Sequence, residues 1–272
     1  MPRHLFALFM LPGVLVFALF FALPAASILL EAGTDAGAAV GRVVADPVFW
    51  NGLRGSLLIG TLAPLVSVMI GVMVAISLSR YSPRLRTTTL IAITLPLTFS
   101  GLIIAYGFIL VFGRAGFVTM LLAELGFDPA QVGRMIYSVF GLGLAYSYYL
   151  IPRVVLIVLP AILNFDVMQI AAARSMGASR VRALAGIMLP QIAPSIAVAY
   201  ALTASVAIGA YGTALALVGT QVNILPLVLY SKISETGTDL PAAAVMSIVL
   251  MAICSIIIML AELVLHRKLG NR

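Results

Sequence analysis

Charge is what this chain has least of. Only 9% of its 272 residues are charged, 62% are hydrophobic, and the mean hydropathy is +1.17. Soluble domains carry roughly 25% charged residues, so a water-soluble globule is excluded and the solvent of this chain is lipid. Cysteine is nearly absent. Cys254 stands alone in a hydrophobic stretch, which excludes a disulfide framework and any CxxC centre. The two histidines, His4 and His266, border hydrophobic stretches, where contact with lipid headgroups is a simpler role than metal binding. There is no low-complexity tract or internal repeat, so residues 1–272 are read as one domain. No G-x-x-x-x-G-K-[ST] phosphate loop occurs, which excludes ATP hydrolysis by this polypeptide.

What the chain does have is long uncharged runs. They separate His4 from Glu31, Arg54 from Arg80, Arg86 from Arg114 and Asp239 from Glu262. Each exceeds the ~20 residues a spanning helix needs. A further span is placed at residues 137–159. Another lies inside the uncharged run from Arg182 to Lys232, which is too long for one helix and must also hold apolar structure outside the membrane or dipping into it. The reading is an all-α integral membrane protein with spans near residues 5–30, 53–79, 89–112, 137–159, 187–210 and 241–265. The first run is longer than the roughly 7–15 residues of a signal-peptide core, so it is read as an uncleaved helix. Pro64 is expected to interrupt the second span, and Pro96 and Gly101 to kink the third. Residues 113–134 and 211–240 are expected outside the membrane.

The few charges fix an orientation. With both termini inside, the inner segments hold Arg3, Arg80, Arg84, Arg86, Arg174, Arg180, Arg182, Arg267, Lys268 and Arg272, ten of the sixteen basic residues, while the outer segments hold seven of the nine acids. The positive-inside rule therefore selects N-in and C-in. The net charge of +7 is a topology signal spread over short loops, which argues against a nucleic-acid partner.

One inner segment, residues 160–186, is unlike an ordinary loop. Asp166 is placed to cap a helix N-terminus. Ala171, Ala172 and Ala173 are strong helix formers whose small side chains let another surface come close. Gly177 permits the left-handed turn that ends a helix. Beyond it, Val181, Leu184, Ala185 and Met188 recur as one apolar face, with Arg180 and Arg182 off it. Leu189-Pro190 then starts the next span, proline being tolerated in a first turn. On periodicity alone the segment could simply lie on the membrane surface.

Ala172-Ala173, three residues, Gly177, nine residues, Ile187, one residue and Leu189-Pro190 together resemble the cytoplasmic signature loop of permease subunits of binding-protein-dependent ATP-binding cassette importers. The resemblance implies a type I permease fold in a bacterial cytoplasmic membrane, surrounded by lipid. It further implies two ATPase subunits carrying ATP and magnesium, a second permease subunit (a different chain or a second copy) and an extracytoplasmic substrate-binding protein. No cofactor is expected on this chain itself. The segment that would engage the ATPase comprises Asp166, Ala171, Ala172, Ala173, Arg174, Gly177, Ala178, Arg180, Ile187, Leu189 and Pro190. One departure stands out: the acidic residue that precedes the Ala-Ala pair in the family is Ala171 here, with Asp166, Arg174 and Arg180 the nearby charges that could replace its ion pair. Residues Ile224 to Tyr230 and Ala242 to Ala244 resemble the subgroup that imports polyamines, thiamine, ferric iron or phosphonates.

Polar residues at membrane depth are candidates for the translocation pathway: Ser100, Tyr106, Tyr146, Tyr149, Thr203 and Ser205. Helix packing is the competing role for each. Tyrosine rings suit a cation, yet Glu262 is the one acid expected within a span, and the base Arg153 is expected to reach toward the inner interface rather than bind cargo. An ion-gradient-driven transporter or channel is the alternative function, disfavoured because the spans lack acidic relays. An intramembrane enzyme would need a deep Ser–His pair, a metal site or paired aspartates, and neither histidine is deep enough.

Overall fold

The computed structural model describes residues 3–219, 222–234 and 239–269, and every element in them is helical. Arg272 and Glu235 lie outside the described residues, as do the side chains of Arg3, His4, His266, Arg267 and Lys268. Among the described residues six helices are long and apolar enough to cross a membrane: α1 (Met10–Thr34), α2 (Pro47–Leu78), α3 (Gly101–Glu124), α4 (Val139–Leu163), α5 (Arg180–Gly209) and α6 (Leu240–Leu263).

The core is built on α2 and α4 running side by side in the same direction, with α5 antiparallel against both. Glycines allow the approach. A Cβ on Gly71 of α2 would lie 2.7 Å from Val154 of α4, and one on Gly60 would collide with Ile208 of α5. Without a hydrophobic force between helices in lipid, such close backbone contact is what holds them together. Toward one end of the bundle Ile59, Leu142, Tyr146, Leu150 and Leu217 pack together; toward the other Leu78, Val154, Val158, Met188 and Ile192 do.

Several boundaries differ from expectation. Pro64 does not interrupt α2, which runs unbroken through it for 32 residues. One missing N–H is tolerated where neighbouring helices hold both flanks. The helix also starts early, because Asp46 accepts a hydrogen bond from the Val48 N–H at 2.9 Å and Pro47 suits the first turn. The third crossing is cut in two. A helix at Pro83–Thr94 passes into a single 3₁₀ turn at Leu95–Thr98, Phe99 is extended, and α3 begins anew at Gly101 with Ser100 as its cap. Pro96 has no N–H to continue the ladder. Residues 113–124, expected outside, continue α3 as an apolar helix after a turn at 113–116.

The stretch after α5 does not stand apart from the other helices. Helices Gly212–Val218 and Leu225–Ser234 fold back into the bundle, burying Leu217, Ile224 and Leu225, and the Leu225 N–H donates to the Ser56 hydroxyl of α2 at 2.8 Å. That hydrogen bond satisfies a backbone group that lipid could not.

The two ends of the bundle are chemically distinct. Where α2 and α4 finish and α5 starts lie Arg80, Arg84, Arg86, Arg174, Arg180 and Arg182. At the opposite end acids accompany the bases and some of them pair: Arg42 with Asp35 at 3.0 Å and with Asp239 at 3.1 Å, and Lys232 with Asp46 at 2.8 Å. The hydrogen bond from Lys232 holds the Asp46 carboxyl below the ordinary carboxylate range. A lowered folded-state pKa means the pair stabilises the protein at neutral pH, and that stability is lost as pH falls through the carboxylate range. In detergent, Lys232→Met should cost about 0.5–1 kcal/mol at pH 7. It should also flatten the fall in melting temperature between about pH 5 and 3. An unchanged pH profile in the variant would show that the pair carries no stability.

Candidate functional site

Residues 164–190 form a compact structure at the basic end. A helix at Met168–Ser175 opens where Asp166 accepts a hydrogen bond from the Met168 N–H at 2.9 Å. It closes at Gly177, whose φ of +90° is the left-handed conformation expected of it. The Gly177 N–H reaches the Arg174 carbonyl at 3.0 Å and the Ala178 N–H the Ala173 carbonyl at 3.1 Å, so the last carbonyls of the helix are satisfied by a Schellman closure. Two residues on, Ser179 caps α5 through the Arg182 N–H. A serine directly before a helical run is the sequence signal for such a cap.

The short helix has two faces. Ile170 and Ala173 turn inward onto the core near Met188, and the Gln191 side-chain amide of α5 donates to Gln169 at 2.6 Å, tying the helix to the first turns of a span. Met168, Ala171, Ala172, Ser175 and Met176, spaced i, i+3, i+4, i+7 and i+8, form the outer face and are exposed, Met168 at 73% and Met176 at 84%. Arg174 is exposed beside them. Val167 and Val181 add 70% and 76% exposed apolar residues at the margins. The Gln169–Gln191 tie and the two methionines were not singled out from sequence. The tie joins residues whose meeting only the fold decides.

The apolar face of Val181, Leu184, Ala185 and Met188 divides: Leu184 and Met188 face the core, joined by Ala183 and Ile187, whereas Val181 and Ala185 are exposed. The packed positions recur at helical spacing, and a π turn spans Leu184–Met188 among them. Ile187 is part of the packed face, whereas Arg180, Leu189 and Pro190 are exposed and Ala178 is half-buried.

The pathway candidates do not gather in one place. Tyr146 and Tyr149 do meet, with ring centroids 5.7 Å apart, and both are buried. The Tyr146 hydroxyl donates to the Ala210 carbonyl at 2.8 Å, where α5 ends. Ser100 caps α3, its hydroxyl 3.4 Å from the Ile103 N–H. Thr203 is fully buried but bonds to its own helix through the Ala199 carbonyl, and Ser205 does the same through Ala201 while lying against Cys254 of α6. Tyr106 points outward, 54% exposed.

Comparison with known proteins fits this architecture. Residues 67–271 match the family described as "Binding-protein-dependent transport system inner membrane component". The chain is 30% identical over 244 residues to a probable molybdenum ABC transporter permease protein of Haloferax volcanii, covering 90% of this chain and 84% of the relative. It is 27% identical over 223 residues to the spermidine/putrescine transport system permease protein PotB of Haemophilus influenzae, covering 81% and 76%. Among solved structures, a chain of a bacterial alginate ABC transporter in complex with alginate pentasaccharide-bound periplasmic protein superposes with a TM-score of 0.74 at 19% identity, over 94% of this chain and 92% of that one.

Proposed function

Because the chain belongs to the binding-protein-dependent transport system inner membrane components, we propose that it is one half of the translocation pathway of an ATP-driven importer, moved by a separate ATPase that docks on residues 166–186. The observation that carries this reading is the outer face of the Met168–Ser175 helix. It combines two exposed methionines with two alanines, while its inner face is fastened to α5 and the core. An apolar, small-residue face on a helix that cannot move independently of a span is what a lever needs: contact energy on the outside becomes displacement of α5. Methionine adapts to an irregular partner surface, and with Ala171 and Ala172 a partner's backbone can come close.

The departure at Ala171 fits the same reading. Without an acid there, docking rests on apolar contact, with Arg174 and Arg180 flanking the face as the available charges. The six arginines clustered at this end make it the cytoplasmic side, with N-in and C-in orientation. A receptor outside the membrane, like the periplasmic protein in the alginate transporter complex, would deliver cargo to the end that carries the Arg42 and Lys232 ion pairs. A second permease subunit would complete the pathway, and a bacterial inner membrane is the setting. The cargo class is a small polar or charged solute.

Accessibility tests the assignment. In a Cys254→Ser background, Met176→Cys should react with an impermeant maleimide in inverted vesicles and not in intact cells or right-side-out vesicles. Antibody to a tagged ATPase should co-purify the same chain. Labelling from the outer side would remove the docking site from reach of any cytoplasmic ATPase.

A further inference from the structure

A small cleft lies at the junction of the two helix interruptions inside the bundle. Its volume is about 310 Å³, and it is lined where the chain breaks before α3 and again after α5, by Pro96, Gly101, Gly209 and Thr213 from those breaks and by Tyr149 and Arg153 from α4. Three features converge there. Arg153 is a half-buried base within a membrane-spanning helix, and it pairs with no carboxylate among the described residues. The Tyr149 side chain is 7% exposed, and its hydroxyl is shut off from solvent without a well-formed hydrogen bond, the Thr213 hydroxyl and Arg153 being the polar groups nearest to it. The N-terminus of the helix Gly101–Phe112 opens beside it, with Thr213 Oγ1 so close over Gly101 that a Cβ there would force the threonine to shift.

An unpaired cation inside a span is costly, and so is a buried hydroxyl that lacks a well-formed hydrogen bond. Both costs disappear when the same ligand accepts from both groups. A guanidinium, two hydroxyls and a helix N-terminus are all donors or carriers of positive potential. They suit an anion and repel a cation. Interrupted helices whose N-termini point at an anionic group inside a bundle are a recurrent way to hold such a solute.

We propose that this cleft is a transit site for a small anionic solute, a tetrahedral oxyanion or a carboxylate, with Arg153 supplying the charge and Tyr149 and Thr213 orienting it. That the anion is the cargo rests on the importer reading; the binding itself does not. The size is at the low end of ligand pockets, which fits an inorganic oxyanion or short carboxylate. A polyamine does not fit: its ammonium groups would face Arg153.

The test is thermal unfolding of the full chain in maltoside detergent, with millimolar sodium sulfate, molybdate or acetate against sodium chloride at equal ionic strength. At least one of the three anions should raise the melting temperature of the native chain by about 2–4 °C. The shift should vanish in Arg153→Gln and shrink in Tyr149→Phe, while spermidine gives none. If Arg153→Gln does not fold, Arg153→Lys, which keeps the charge, should retain part of the shift and Tyr149→Phe should still reduce it. No anion-specific shift in the native chain, an equal shift in the variants, or a shift from spermidine would each overturn the proposal. So would a response confined to added phosphatidylglycerol, which would make the cleft a headgroup site. Either result is independent of Met176→Cys labelling, so the cleft can fail while the importer reading stands.

Discussion

Replacing Gly177 by proline should abolish uptake while leaving the chain in the membrane. At a φ of +90°, proline, fixed near −65°, cannot follow the backbone, and it removes the N–H that reaches Arg174. The Schellman closure is lost, at a cost of about 3 kcal/mol or more falling on a segment outside the spans. The helix should then lose its fixed aim while α4 and α5 stay packed. Gly177→Ala is the graded comparison. No atom lies within 4 Å of its Cβ, so only the strain of positive φ is added, roughly 1–2 kcal/mol, and coupling should be weakened rather than lost. Ala172→Trp isolates surface contact from folding. Ala172 is exposed, so the ring meets nothing within the chain, and a loss of uptake can come only from a partner that no longer fits. The expected fall is on the order of tenfold or more, equivalent to ~1.4 kcal/mol of docking. The measurements are chain abundance in the membrane fraction and receptor-stimulated ATP hydrolysis set against uptake in proteoliposomes. Normal coupling in both Gly177→Pro and Ala172→Trp would refute the lever.

The second large effect belongs to stability. Gly71→Leu should prevent the bundle from forming. A Cβ at Gly71 would sit 2.7 Å from two carbons of Val154 and 3.3 Å from the Ile151 carbonyl oxygen. Val154 is fully buried and the carbonyl is backbone, so α2 and α4 must separate. Gly71→Ala should cost about 1–3 kcal/mol by overpacking, whereas leucine should leave no monodisperse protein in detergent. Gly107→Leu is the control: it is exposed with nothing within 4 Å and should be neutral or stabilise the helix by up to ~1 kcal/mol. Size-exclusion profiles and melting temperatures of the three variants separate close packing from a general intolerance of glycine replacement.

The sequence was most informative wherever physics acts on a few neighbouring residues. A charge at membrane depth is costly at its own position, so uncharged runs located five of the six spans without knowledge of how they pack, Arg153 lying inside the other. Gly177 was legible because a left-handed turn is a property of one residue, and Asp166 because its cap bonds two residues away. The Ala172 to Pro190 spacing was legible for the same reason, and it carried the family. Loop charge likewise separated a basic end from one where the acids gather.

Tertiary packing decided the rest. Whether Pro64 breaks a helix and Pro96 does depends on what holds each flank, so one proline disappears into α2 and the other splits a crossing. Of the apolar face that starts α5, Leu184 and Met188 pack and Val181 does not, because the core decides which part of it is covered. Tyr149, Arg153 and Thr213 share a cleft although 60 positions separate Arg153 from Thr213 in the numbering. Composition determined the solvent of this chain and local backbone chemistry its turns. Which polar groups meet, and which are left without a partner, is a sum over contacts distant in sequence that only the folded bundle brings together.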